Sequence, residues 1–123
     1  DTPGLLREKQ EYLKKQLGDR DIRYQYHDVG ISHIEAVLAR GDRRLSTALE
    51  QALHMGFHFD AWDEHFSYER WLEVFERTGT DPAFYANREH RPDEVLPWDF
   101  IEHGVSKEAL AEAYKRALSQ AML

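Results

Sequence analysis

Residues 67–79 read SYERWLEVFERTG and carry the clearest signal of the fold class. Large apolar residues recur there at the spacing that brings side chains to one face of an α-helix, namely Tyr68, Trp71, Leu72 and Phe75. Ser67 before them is a residue type that caps helix N-termini, and Gly79 after them is one that follows helix C-termini. We therefore expect a short amphipathic helix whose apolar face lies in the protein core.

Similar signals predict further helices on both sides of this one. They cover residues 5–17, 32–40 and 42–55, a turn or two from Asp81-Pro82, and a last helix that begins after Ser106 and runs through Leu118. Ser32 and Glu35 form the S-x-x-E pattern of a capping box, which puts a helix start at Ser32. Residues 91–104 hold Pro92 and Pro97 and are expected to be irregular.

One segment has a different periodicity. In residues 21–28, DIRYQYHD, apolar and aromatic side chains alternate with polar ones, which is typical of a half-buried β-strand. A single short strand cannot form a sheet, so its backbone needs a partner in another chain or in a part of the protein outside this sequence. The predicted fold class is mainly α, a small array of about five to six short helices with one possible short strand near residues 22–27.

The composition limits the classes of function. The chain has 123 residues, which predicts a single helical domain over residues 1–123. It has no cysteine, which excludes disulfide scaffolds, thiolate zinc sites, cysteine nucleophiles and an iron–sulfur cluster bound by this chain. The 16 Lys and Arg against 23 Asp and Glu give a net charge of −7, which argues against nucleic acid or an anionic membrane as the partner.

The sequence carries no targeting signal. No apolar run approaches the roughly 18 to 20 residues that span a bilayer, and no signal peptide opens the chain, so a cytoplasmic location is predicted. The first residue is Asp1 rather than Met, which together with the unpaired strand predicts an excised piece of a larger protein. The oligomeric state stays open at this level.

Two groups of side chains are candidates for binding. Arg43-Arg44 stands at a predicted helix start and is a candidate for binding a phosphate or carboxylate there, with a salt bridge to an acidic residue as the alternative. The segment DAWDEHF, residues 60–66, offers a second set of side chains toward a substrate or partner: Asp60, Trp62, Asp63 and His65.

The histidines raise the question of a metal site. On a continuous helix His54 and His58 would lie one turn apart, a spacing that zinc sites use, with Asp60 or His65 as a third ligand. Gly56 between them is typical of a helix end, so the two imidazoles need not face the same way. No metal ligands are therefore assigned.

Several phrases of the sequence resemble a known family. They are GISHIEAVLARGDRR (30–44), FDAWDEHF (59–66), DPAFY (81–85) and LPWD (96–99). Together they resemble the C-terminal region of bacterial radical S-adenosylmethionine (SAM) proteins, often labelled Fe-S oxidoreductases, whose full-length members carry an N-terminal cobalamin-binding-like domain. The resemblance runs from about residue 24 to residue 118. In that family this region follows the radical core, and the segment 104–107, GVSK, opens its closing helix.

The resemblance implies an accessory role for this chain. The family's 4Fe-4S cluster rests on a C-x3-C-x2-C motif in the radical core, which this cysteine-free sequence lacks. The parent protein is expected to reduce SAM by one electron, with cobalamin as a further candidate cofactor. This chain is expected to hold none of these cofactors and no catalytic residue, and to contact the radical SAM core of the same protein.

Two details of that role follow from the resemblance, and two alternatives stand beside it. Residues 23–27 are expected to complete or cap the edge of the core's sheet, and Arg43, Arg44 or the DAWDEHF segment are candidates to face the substrate opening. The main alternative is a stand-alone acidic helical module that binds other proteins. A His/Asp metal hydrolase is the third.

Overall fold

The computed structural model describes residues 1–18, 22–58, 62, 64–102 and 104–121. These residues form six α-helices: α1 (Pro3–Leu17), α2 (Val29–Ala39), α3 (Ser46–His54), α4 (Tyr68–Arg77), α5 (Pro82–Ala86) and α6 (Lys107–Ala121). The prediction of a mainly helical array is confirmed. The chain divides into two compact units, a first unit of residues 1–88 and a second unit of residues 89–123.

The hydrophobic core belongs to the first unit and is built by α2 to α5. Its largest fully buried side chains are Phe75, Val37 and Val74. Trp71 packs between two other rings, with its centroid 5.1 Å from that of Phe57 and 5.7 Å from that of Phe75. Each side chain of this size stabilises the fold by about 1.5–3 kcal/mol when it is fully buried. The segment 67–79 therefore lies at the centre of the core. Trp71 and Phe75 are buried as predicted, whereas Leu72 is 39% exposed and Val74 is buried instead.

The start of α2 differs from the prediction. The helix begins at Val29, because Asp28 caps it with an oxygen that accepts a hydrogen bond from the backbone N–H of Ile31 at 3.0 Å. Ser32, predicted as the cap, lies inside the first turn. Asp and Ser are about equally good caps, and the earlier start buries Val29, which is 4% exposed.

The predicted helix over residues 42–55 is broken near its start. Asp42 caps a short 3-10 turn, Arg43–Leu45, and α3 then begins at Ser46. Gly41 makes this tight connection feasible, since a Cβ atom there would lie 2.1 Å from a methyl carbon of Leu45 and 2.9 Å from the carbonyl oxygen of Val37. A side chain at position 41 would force α2 and the 3-10 turn apart.

The prediction of a possible short strand near residues 22–27 is wrong. Residues 22–28 form neither helix nor strand, and no other described residue forms a strand that they pair with. The alternation does put Tyr24 and Tyr26 on one side, with ring centroids 5.2 Å apart. A period of two decides which side chains share a side, but a strand also needs a neighbour for its backbone hydrogen bonds.

The second unit consists of turns followed by α6. Residues 91–102 are irregular, and Ser106 caps α6 by accepting a hydrogen bond from the N–H of Ala109 at 3.2 Å, as predicted. Lys107 donates to a carboxylate oxygen of Asp99 at 2.7 Å and to the carbonyl of Glu94. None of the side chains described in this unit is buried.

The two longest helices, α1 and α6, have 15 residues each. Across the described ranges, neither they nor any shorter helix combine the length and the apolar character needed to cross a membrane.

Candidate functional site

Of the first predicted binding residues, Arg43 and Arg44, the second binds a carboxylate of the chain itself. Arg44 donates from Nε to both oxygens of Asp42, at 2.9 and 3.0 Å, and from Nη2 to one of them at 2.6 Å. The Arg44 side chain, and to a lesser degree its backbone N–H, hold the pKa of Asp42 below its usual range. Arg44 also lies over aromatic rings, with Cζ 5.2 Å from the centroid of Phe84.

Arg43 and Arg44 therefore differ in what they can offer a ligand. The Nε–Nη2 edge of Arg44 is occupied within the chain, in the salt bridge that sequence analysis kept as the alternative. The side chain of Arg43 is exposed. An anion at this turn would meet the Arg43 guanidinium and only the remaining N–H groups of Arg44.

The second predicted segment is described only in part. Asp60 and Asp63 lie outside the described residues. The carbonyl of Trp62 accepts hydrogen bonds from the backbone N–H groups of His65, at 2.9 Å, and Phe66, at 3.1 Å. Trp62 and His65 are both exposed on this turn, which leads into α4.

The histidine pair does not share a helix. α3 ends at His54, and Gly56 follows with a φ of 77°, the left-handed conformation that glycine adopts most easily. The N–H of Phe57 then bonds back to the carbonyl of Ala52 at 3.1 Å, which closes the helix end before His58. Among the residues that the structure describes, no three His, Asp or Glu side chains are grouped closely enough to hold a metal ion.

A polar contact that sequence analysis missed joins α2 to α4. Nδ1 of His33 lies 2.9 Å from the hydroxyl of Tyr68, and the contact is partly buried. Arg7 of α1 approaches from the other side, with Cζ 5.6 Å from the centroid of the Tyr68 ring. The three residues tie three helices of the first unit together.

Burial has the largest effect on the pKa values of the two side chains in this contact. Burial lowers the pKa of His33, Arg7 lowers it further, and a hydrogen bond with the Asn87 side chain opposes them. Burial also raises the pKa of Tyr68. Nε2 of His33 is buried, and the contact with the Asn87 side chain does not outweigh the effect of burial on the pKa of His33. At neutral pH the pair is a neutral imidazole beside a neutral phenol.

A shallow groove of about 440 Å³ opens beside Tyr68. It is lined by Arg7, Asp28, Ile31, Phe66, Ser67, Tyr68 and Glu69. Two of its polar side chains are helix caps, because Asp28 accepts from Ile31 and Ser67 accepts from the N–H of Arg70 at 3.3 Å. These groups serve the helix ends, and the one hydroxyl–carboxylate contact among them, from Ser67 Oγ to Glu69 at 3.5 Å, is long and exposed.

Apolar side chains are uncovered at two other places. On α1 and the segment after it, Leu5, Leu6, Tyr12, Leu13, Ile22 and Tyr26 are exposed, and we call this set the N-terminal surface. In the second unit, an open groove of about 640 Å³ has apolar walls that include Phe100, Ile101, Val105 and Leu110. Phe100 is 85% exposed, so these walls face solvent.

Comparison of the chain with known protein families, with characterised proteins and with solved structures finds no match.

Proposed function

We propose that this chain is a non-catalytic accessory domain that docks through its N-terminal surface on the radical SAM core of the same protein. The observation that carries the proposal is that α1 buries none of its side chains. Leu5 is 41% exposed and Tyr12 is 64% exposed, although both are apolar in character. Such a surface is typical of a site that another protein surface covers.

The way α1 is attached supports this role. Its least exposed residues are Pro3, Gln10 and Leu17, spaced seven apart, so one narrow line of the helix faces the rest of the first unit. Gln10 donates to the carbonyl of His27 at 3.0 Å, and Asn87 donates to the carbonyl of Asp1 at 2.7 Å. Because these are polar contacts with little burial, a helix of this length remains marginal without a further partner.

The exposed segment 22–27 also supports docking on the radical SAM core. Ile22 and Tyr26 are exposed, and the backbone beside them makes no strand within the described residues. The His27 carbonyl already accepts from Gln10, and the backbone of the preceding residues would extend the edge of another sheet. In the family that the sequence resembles, the core precedes this region, so its sheet would approach from the N-terminal side.

The phrase that carries most of the resemblance has a structural explanation. Ile34 and Val37 of GISHIEAVLARGDRR lie in the core, and the lack of a side chain at Gly41 leaves room for Leu45. Residues used for packing fit an accessory domain better than an active site. The cluster and SAM chemistry would reside in the cysteine-bearing core, because this chain offers no thiolate ligands for it.

The test compares the same substitutions in two settings. The sequence preceding Asp1 in the natural protein is determined first, and C-x3-C-x2-C is expected there. Leu5→Glu with Tyr12→Glu is then made both in the 123-residue chain and in the longer protein. We expect a loss of about 2–4 kcal/mol in the longer protein, where the side chains become buried, and less than about 0.5 kcal/mol in the chain alone.

Leu49→Glu is the matched control, since Leu49 is similarly exposed but lies on α3. It should be tolerated equally in both settings. Equal effects of the double substitution in the two settings would overturn docking through the N-terminal surface, and an upstream sequence without the cysteine motif would overturn the radical SAM partner.

The second candidate is a stand-alone acidic module that binds other proteins. It is favoured by the closed core of the first unit, in which nine buried residues pack together without a contribution from a partner. The upstream sequence separates the two candidates. A self-contained open reading frame with the same exposed surface would favour the module.

A further inference from the structure

Two contacts near the start of α1 attach this helix to the rest of the first unit. Arg7 lies over the Tyr68 ring, with Cζ 5.6 Å from the ring centroid, and Asn87 donates to the carbonyl of Asp1 at 2.7 Å. α1 buries none of its own side chains. A helix attached in this way separates from its neighbours at a lower free-energy cost than the helices that build the core.

His33 of α2 adjoins both of these contacts. Its Nδ1 lies 2.9 Å from the Tyr68 hydroxyl, and the two rings meet edge to face, with centroids 5.8 Å apart. The imidazole also contacts the side chain of Asn87, and its Nε2 is buried. The two residues that α1 uses for its attachment are therefore the same two that contact a partly buried imidazole.

The charged and titratable groups around His33 come from several elements. α1 presents Arg7, and α4 presents Tyr68, whose phenol stays neutral because burial raises its pKa. The groove beside Tyr68 also holds two carboxylates, those of Asp28, which caps α2, and of Glu69. Burial lowers the pKa of His33 most, the neighbouring amide opposes it, and Arg7 lowers it further.

A proton on His33 and the attached position of α1 therefore oppose each other. Arg7 disfavours a charge on His33, so by thermodynamic reciprocity a charged His33 disfavours Arg7 in its place. A charged imidazole also needs water around it. Because α2 and α4 are held together in the core by residues such as Val37 and Phe75, α1 is the element that can move away.

We propose that protonation of His33 releases α1 from the first unit while the core of that unit stays folded. This release depends only on contacts within the chain, so it is independent of the proposed docking partner. Since α1 carries most of the N-terminal surface, mild acidification alters the shape of that surface.

Hydrogen exchange of the backbone amides in the 123-residue chain tests this switch. Protection factors are measured between about pH 7.5 and about pH 5, since they correct for the direct effect of pH on exchange, with α4 as the internal reference. Protection of α1 should fall relative to that of α4 by at least about threefold as the pH drops below 6.5, the usual pKa of histidine. An NMR titration of the His33 imidazole should follow the same pH dependence.

His33→Gln is the test variant, because a glutamine amide takes up no proton in this pH range. It should abolish the relative loss of α1 protection. His27→Gln is the matched control, since His27 is exposed and meets α1 only through its backbone carbonyl, which accepts from Gln10. This control should keep the loss. Circular dichroism at neutral pH verifies that both variants are folded.

Three outcomes would overturn the proposal. One is a constant ratio of α1 to α4 protection across the pH range in the unmodified chain, a result that needs no variant. Another is an equal loss of protection in both helices, which indicates unfolding of the whole unit. The third is the same pH dependence in His33→Gln as in His27→Gln.

Discussion

Single glycines govern how closely the helices of the first unit approach. A Cβ atom at position 30 would lie 2.9 Å from Cγ of Tyr68 and 3.0 Å from its Cβ, so the Tyr68 ring packs directly on the α2 backbone. The hydrogen bond with His33 holds the Tyr68 side chain in place, so the ring cannot move away from α2 without losing that bond. The close approach therefore outweighs the helix-forming advantage of any residue larger than glycine.

Gly30→Ala should lower the free energy of unfolding by about 1–3 kcal/mol, because the clash exceeds the roughly 1 kcal/mol that alanine gains in a helix. Gly4→Ala is the matched control, since a Cβ at that position of α1 meets nothing within 4 Å. It should leave stability unchanged or raise it by up to about 1 kcal/mol. Urea unfolding of both variants measures the two effects. The same sign for both would contradict the packing described for Tyr68.

His33 makes the stability of the first unit depend on pH. Its pKa is lowered in the folded protein from the usual 6.5, mainly by burial, so the unfolded chain binds the proton more readily. The free energy of unfolding should therefore fall as the pH drops below about 6.5 and should level off below the folded-state pKa. Above 6.5 the contribution is fully present.

The test of this pH dependence is His33→Gln, which should flatten the decline between neutral and mildly acidic pH in a urea-unfolding series. His54→Gln, at an exposed histidine, should leave the decline as it is. If the two variants follow the same pH profile, His33 is not the titrating group responsible.

At the scale of elements, α5 is the shortest helix and depends on a side chain from α2. Arg40 donates to the carbonyl of Ala86 at 2.6 Å and to the carbonyl of Arg88 at 2.5 Å, which satisfies carbonyl groups at the end of α5. A planar guanidinium can reach two carbonyls at once, whereas the ammonium of lysine provides no such fork.

Arg40→Met should therefore destabilise the protein by about 1.5–3 kcal/mol, the range for hydrogen bonds made by a charged group. Arg40→Lys should recover only part of this loss. Arg43→Met, at an exposed position three residues on, should change stability by less than about 0.5 kcal/mol. Thermal unfolding measures all three, and a full recovery by lysine would argue against the two-carbonyl contact.

Local signals located most of the helices in the sequence. Ser67, Asp81 and Ser106 cap α4, α5 and α6 as predicted, because a cap acts within three residues of the helix start. The start of α2 was wrong because Asp28 and Ser32 are both good caps, and only the burial of Val29 decides between them. Burial depends on tertiary packing, which local spacing does not encode.

The polar contacts were harder to predict for a related reason. His33 and Tyr68 are 35 residues apart, and only the fold brings them to 2.9 Å. A helix phase counted from Val29 would have put His33 on the same face as Gly30, Ile34 and Val37. The bidentate pair of Arg44 with Asp42, two residues away, was within reach of sequence reasoning as the salt-bridge alternative.

At the scale of the whole molecule, burial is concentrated in the middle of the chain. Among the described residues, the ten buried apolar ones lie between Val29 and Tyr85, whereas α1 and the described part of the second unit bury none. Under the proposed function, the N-terminal surface is the docking site for a preceding domain.

The most direct test of docking is hydrogen exchange of the backbone amides in α1 and in residues 22–28, measured in the 123-residue chain and in the longer natural protein. The amides of α4 serve as the internal reference, since Trp71, Val74 and Phe75 are buried in the core of the first unit. We predict that exchange in α1 and in residues 22–28 is slowed by at least about tenfold in the longer protein while α4 is unchanged. Equal exchange of α1 in the two proteins would contradict the proposed function.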